Sequence, residues 1–214
     1  MDSARFRDRD DAGAQLASRL AGMNLADPVV LALPRGGVPV ARPIAKALDA
    51  PLDLLLVRKI GVPSQPELAA AAIVDGEHPE IVFNRDVMSL VGLSDDAIDD
   101  LAQPELWELE RRRRVYLKDR KPVPVEGRTA IVVDDGIATG TTVRAALAAL
   151  RRRNPASLVL AVPVAPDETV AALRPLVDDL VCLSIPRDFY AISPFYEEFH
   201  QLTDAEVTRM LEPA

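Results

Sequence analysis

The chain is poor in the residues that most often announce a chemistry. It has one cysteine, Cys182, so an intramolecular disulfide and a paired-cysteine metal knuckle are both excluded. Cys182 lies in the apolar run DLVCLSIP and reads as a buried structural thiol. The two histidines, His78 and His200, are far from each other and lack ligand-spaced partners, so both read as non-catalytic. A basic excess is missing: the net charge is −8 and the pI about 4.9, which argues against binding to nucleic acid or a membrane surface. No apolar run is long enough to span a bilayer. The N-terminal MDSARFRDRDDAG has no apolar segment of the kind a secretory signal needs, and a cytoplasmic setting is the expectation. Neither G-x-x-x-x-G-K-[ST] nor G-x-G-x-x-G occurs, so a P-loop and a dinucleotide fingerprint are both missing.

What remains is an α/β pattern. At 214 residues with 49% hydrophobic content, the chain can bury a sizeable core as one domain. Ala12, Leu16, Leu20 and Met23 at helical spacing predict an amphipathic helix over 8–23. PVVLALPRGG reads as a buried strand ending in a glycine turn, followed by a helix over 38–48 with a kink at Pro43. PLDLLLVRK (51–59) is a second strand, running into a loop, KIGVPSQPE. LAAAAIVDG and EIVFN read as short, antiparallel strands, and 94–120 as a helix interrupted near Pro104. RTAIVVDD is a strand, TTVRAALAALRRR a helix, and SLVLAVPV and DLVCLSIP two more strands around a short helix. Thr203 and Glu206 stand in capping-box spacing before a terminal helix. Strands alternating with helices indicate a mainly parallel sheet covered on both faces, with ligands at the strand ends where the sheet order reverses.

One stretch at such an end, IVVDDGIATGTTV (131–143), combines two carboxylates with a small-residue loop. Around Thr139–Thr142 the backbone amides can converge, and the helix that starts there adds its own free N–H groups. That is a phosphate seat needing no lysine. Asp134 and Asp135 just above it would repel a dianion unless something lies between. A ribose is a fitting spacer, its hydroxyls facing the acids and its 5′-phosphate reaching the loop; a divalent cation would offset the remaining charge. Taken singly, DDG is an ordinary turn and TGTT an ordinary cap. Their conjunction after an apolar strand points to a 5-phosphoribosyl cradle.

VVDDGIATGTT resembles the phosphoribosyl-pyrophosphate (PRPP) motif of the type I phosphoribosyltransferases. LPRGGVPVA, VRKIGVPSQPELAAAAI and FYAISPFYEEFHQLTD resemble, in order, a bacterial branch of that family with no settled acceptor. The resemblance implies a single domain over 1–214: a five-stranded parallel core, about 28–185, under a small hood from about 1–27 and 186–214. It implies PRPP and Mg²⁺ as ligands, with Asp134 and Asp135 on the ribose hydroxyls and the metal, directly or through water. Ala138, Thr139, Gly140, Thr141 and Thr142 would wrap the 5′-phosphate. Arg35, Gly36 and Gly37 would form the pyrophosphate loop, a place where the family often holds a strained non-proline peptide. Arg58 and Lys59, before a mobile loop, would neutralise departing pyrophosphate. Glu67, at the end of that loop, is a weaker candidate for touching the nucleophile. Ala138 stands where some purine-specific members carry an acid, so this loop supplies no general base and a 6-oxopurine acceptor is disfavoured.

The hood should hold the specificity. RDFYAISPFYEEF is the only aromatic cluster, and Phe189 or Tyr190 is the expected ring for stacking on an acceptor; the alternative is a hydrophobic cluster pinning the tail. ELWELERRRRVY, with Glu108–Arg112 and Glu110–Arg114 in i,i+4 order, reads as a solvated salt-bridged helix, or alternatively as an anion-binding or subunit-contact face. The expected activity is transfer of a 5-phosphoribosyl group from PRPP to a nitrogenous acceptor. A PRPP- or nucleotide-sensing regulator and a PRPP hydrolase are the alternatives. A homodimer is left open.

Overall fold

The computed structural model describes residues 6–76, 79–118 and 120–212, with the backbone alone at Pro66 and Glu67. The readings of His78 and of the Glu67 side chain lie outside these described parts. The chain runs α1 (Arg9–Leu20), β1 (Pro28–Ala32), α2 (Gly37–Ala47), β2 (Leu52–Leu54), β3 (Val57–Val62), β4 (Gln65–Val74), β5 (Glu80–Phe83), α3 (Arg85–Val91), α4 (Asp95–Leu117), β6 (Thr129–Val133), α5 (Thr141–Arg152), β7 (Ser157–Val164), α6 (Asp167–Leu173), β8 (Asp179–Ser184) and α7 (Asp204–Leu211). Among the described residues no helix is long and apolar enough to cross a membrane.

Five strands form a parallel sheet in the order β2-β1-β6-β7-β8, as the alternation of strands and helices predicts. Its side chains alternate between two layers. Val30, Ala32, Ile131 and Val133 pack with residues of α1 and α2, while Val29, Leu31, Ala130 and Val132 pack with residues of α5. The order reverses between β1 and β6, so their carboxyl ends open into a crevice. The Leu33 amide donates to the Val133 carbonyl at 2.9 Å, carrying the ladder to the lip of that crevice.

The expected strand over 51–59 is two strands in two sheets. β2 stays in the parallel sheet, and β3 joins a separate antiparallel sheet, β3-β4-β5. Leu54, Leu55 and Leu56 are all buried, so the hydrophobic pattern carries no trace of the break. The loop expected from KIGVPSQPE is a hairpin: Gly61 marks a register shift and residues 63–64 the turn. α4 runs unbroken through Pro104, and α2 through Pro43. α3 was missed; Asn84 caps it by accepting from the Val87 amide, and Gly92 ends it at φ 70°. The capping box at Thr203 and Glu206 is present on α7.

The stretch before α1 meets the stretch after β8. The Phe6 amide donates to the Phe195 carbonyl and the Glu197 amide to the Phe6 carbonyl, both at 2.9 Å.

Candidate active site

The crevice between β1 and β6 gathers most of the residues singled out in the sequence. β6 delivers Asp134 and Asp135 to its lip, where their surroundings differ. Asp135 is buried and accepts from Nε of Arg9 at 2.7 Å. Arg9, also buried, reaches it from the first turn of α1, donates to the His200 carbonyl at 3.0 Å and lies 3.8 Å over the Phe199 ring. The Tyr196 hydroxyl donates to the Asp135 carbonyl at 2.6 Å. Asp134 stays partly exposed and lines a cavity of about 200 Å³ with Leu33, Pro34, Arg58, Arg112 and Thr142. Although Asp134 keeps some exposed surface at the cavity, protein packed around its carboxyl group desolvates it and drives it well above the usual carboxylate range, and the neighbouring Asp135 charge adds to the rise. Burial raises Asp135 as well, with Arg9 pulling the other way.

The loop after the acids is an uncapped helix start. Gly140, at φ 74°, is the N-cap of α5 and offers no side chain to the first amides. Among the described residues, the amides of 138–142 have no protein acceptor. Thr169 on α6 steadies the loop from below by donating to the Ala138 carbonyl at 2.7 Å. The hydroxyls of Thr139 and Thr141 are 3.4 Å apart on the exposed side. Free amides, hydroxyls and a helix start together are suited to a phosphate.

The PRGG turn lies against both acids. The Pro34–Arg35 peptide is cis. A Cβ on Gly36 would lie 2.0 Å from Asp135 Oδ2, and one on Gly37 would lie 2.5 Å from the Val133 carbonyl oxygen, so only glycine allows this approach. The Gly37 amide donates to the Leu33 carbonyl at 3.0 Å, and among the described residues the Arg35 and Gly36 amides have no protein acceptor. Arg35 is partly exposed, 3.8 Å from Asp204 of α7, which accepts from the Tyr116 hydroxyl at 2.5 Å. Burial and this carboxylate push the Tyr116 hydroxyl up to about 12.

Of the two cations on β3, Arg58 lines the Asp134 cavity and donates to Glu105 of α4 at 2.7 Å. Lys59 is exposed and points to the other side of the strand. The aromatic cluster divides: Phe189 stacks on Phe195 at 5.8 Å between centroids, whereas Tyr190 is 92% exposed. His200 is exposed, 3.2 Å from Glu206. Burial pushes the Cys182 thiol up to about 11, as an inert structural thiol requires.

Sequence reasoning missed Arg9, Glu105, Tyr116 and Asp204, and gave the helix of Arg112 an anion-binding face only as its second reading. Arg9 and Asp204 carry no local signal, because they meet the site only through the fold. Arg112 did carry one: Leu109 and Tyr116, three residues before and four after it, are both buried. The stripe Glu105–Leu109–Arg112–Tyr116 therefore faces inward.

Among the described residues no cluster of three or more His, Cys, Asp or Glu side chains could hold a metal. With Asp135 committed to Arg9, the donor set is one part-exposed carboxylate. That fits Mg²⁺, which keeps several waters and takes one or two carboxylates plus substrate phosphates.

The fold is a mainly parallel α/β sheet with two acids and an uncapped helix start at its topological switch point. The family model for the phosphoribosyl transferase domain matches residues 9–200, and the chain belongs to that family. Two Mycobacterium tuberculosis proteins, from strains CDC 1551 and H37Rv, are each 48% identical over 209 residues and carry the provisional name phosphoribosyl transferase. The match covers 98% of this chain and 47% of each of theirs, so the chain spans about half the length of these relatives. The crystal structure of the protein TT1426 from Thermus thermophilus is 40% identical, covers 97% of both chains and superposes with a TM-score of 0.83.

Proposed function

We propose that the chain transfers a 5-phosphoribosyl group from PRPP to a nitrogenous acceptor, a nucleobase or related compound, with release of pyrophosphate. The observation that carries this reading is the juxtaposition of Asp134 with Thr142, at the uncapped start of α5, in one cavity. In this reading Thr139, Gly140, Thr141 and Thr142, with the Ala138 amide, seat the 5′-phosphate. Asp134 accepts from the ribose hydroxyls. Asp135 acts at one remove, its charge balanced by Arg9. Arg35 and Arg58 stand toward the pyrophosphate, where negative charge grows as the bond at the ribose C1 carbon breaks. Asp134 would hold Mg²⁺ directly or through water, and the ion, when bound, supplies positive charge to the diphosphate. Positioning and electrostatics lower the barrier, with no protein nucleophile required. The segments before residue 28 and after 185 serve as the hood, and Tyr190 is the ring available to an acceptor.

Incubation with PRPP, Mg²⁺ and a panel of nitrogenous bases tests the proposal by pyrophosphate release. Base-dependent release supports a transferase. Base-independent release indicates a hydrolase, and binding without release a sensor.

A further inference from the structure

The run Arg111–Arg114 on α4 turns about 100° per residue, so its four cations point four ways. Arg111 points outward and donates to Glu108 at 2.7 Å. Arg113 turns inward, donating to the Asp75 carboxylate at 2.9 Å and the Gly76 carbonyl at 2.7 Å. Arg114 is 78% exposed, with Glu110 3.8 Å away. Arg112 is different: it lines the cavity that holds Asp134, Thr142 and Arg58. Its Nε donates to Glu108 Oε1 at 2.9 Å. A guanidinium has five N–H donors, and the two terminal amino groups of Arg112 have no protein acceptor among the described residues.

Three cations stand near carboxylates of α4 or α7. Arg58 donates to Glu105 through Nε and pairs with it again through a terminal amino group, Arg112 donates to Glu108 through Nε, and Arg35 lies 3.8 Å from Asp204. Each guanidinium keeps further N–H donors for an anion. Glu105 and Glu108 are one turn apart, so a single helix sets two of the three.

We propose that Arg112 contacts the diphosphate of the donor, Glu108 fixing its Nε edge so that its terminal amino groups face the leaving group. This rests on the transferase reading and adds a cation that neither the pyrophosphate loop nor β3 supplies. The test is calorimetric titration of inorganic pyrophosphate, and separately of ribose 5-phosphate, each with Mg²⁺. Parent protein, Arg112→Gln, Arg112→Lys and Arg114→Gln are compared. Losing charge-assisted hydrogen bonds should weaken pyrophosphate binding about tenfold or more in Arg112→Gln. Ribose 5-phosphate affinity should stay within about twofold, which also shows that the variant is folded. Arg112→Lys should recover part of the loss, because it restores the charge without the fork. Arg114→Gln removes the same charge from the same helix and should change neither affinity. Equal pyrophosphate affinity in Arg112→Gln and Arg114→Gln overturns the proposal while leaving the transferase reading standing. Failure of the parent to bind ribose 5-phosphate overturns that reading itself.

Discussion

Replacing Arg9 by Met removes the cation that faces Asp135 and leaves a buried carboxylate without its countercharge. The pair is close to dry, its side chains 9% and 11% exposed and 2.7 Å apart. Breaking such a pair from one side costs about 3–5 kcal/mol, because the orphaned charge keeps its desolvation penalty. For a chain of this size that lowers Tm by about 6–20 °C. The loss depends on pH. Arg9 pulls the Asp135 carboxyl down against burial, so without Arg9 burial alone pushes it further up. A folded-state pKa above the unfolded value means that the buried carboxylate destabilises most at high pH, and protonation relieves it as pH falls. Urea unfolding at pH 8 and pH 5 therefore shows a larger deficit at pH 8. Arg9→Met with Asp135→Asn recovers part of the stability at pH 8, since a neutral amide is cheaper to bury. A single variant within about 1 kcal/mol of the parent at both pH values would mean that the pair is not desolvated, because that is the yield of an exposed pair.

Asp134→Asn should abolish PRPP turnover yet raise stability at pH 8 by about 1 kcal/mol, read by urea unfolding, since it removes a charge that burial and Asp135 both oppose. Sign follows from the raised carboxyl: its ionisation erodes stability as pH climbs through the folded pKa, so the gain fades toward pH 4. Thr141→Val with Thr142→Val should weaken ribose 5-phosphate binding by about tenfold or more, measured by calorimetry, through loss of hydroxyls to a charged group. Gly36→Ala would set a methyl 2.0 Å from Asp135 Oδ2. The turn must then shift, costing about 1–3 kcal/mol in unfolding free energy and weakening pyrophosphate binding.

Much of the fold was legible because strands buried on both faces read as short apolar runs and amphipathic helices show a helical repeat. The parallel sheet, its helices and the acid-then-loop motif at the end of β6 follow from that. Where all residues are apolar the period is silent, and Leu54–Leu56 hid the passage from one sheet to the other. Pro104 misled in the opposite way, being absorbed within a helix whose neighbours hold it in place. The site was legible wherever one short stretch supplies it, as at 134–142. The two acids looked equivalent because their difference lies 126 residues away, in Arg9. Arg112 looked solvated because a charge pattern shows which side chains pair but not which way the pair faces. The buried stripe of Leu109 and Tyr116 would have shown that.

The central claim is that one crevice seats a sugar phosphate, amides at 138–142 holding the phosphate and Asp134 the ribose. A phosphorus NMR titration of ribose 5-phosphate with this chain, repeated with Thr141→Val/Thr142→Val, tests it most directly. The phosphate resonance should shift saturably with the parent and much more weakly with the variant. An unshifted resonance with the parent, or the same saturation curve for both proteins, would contradict the claim.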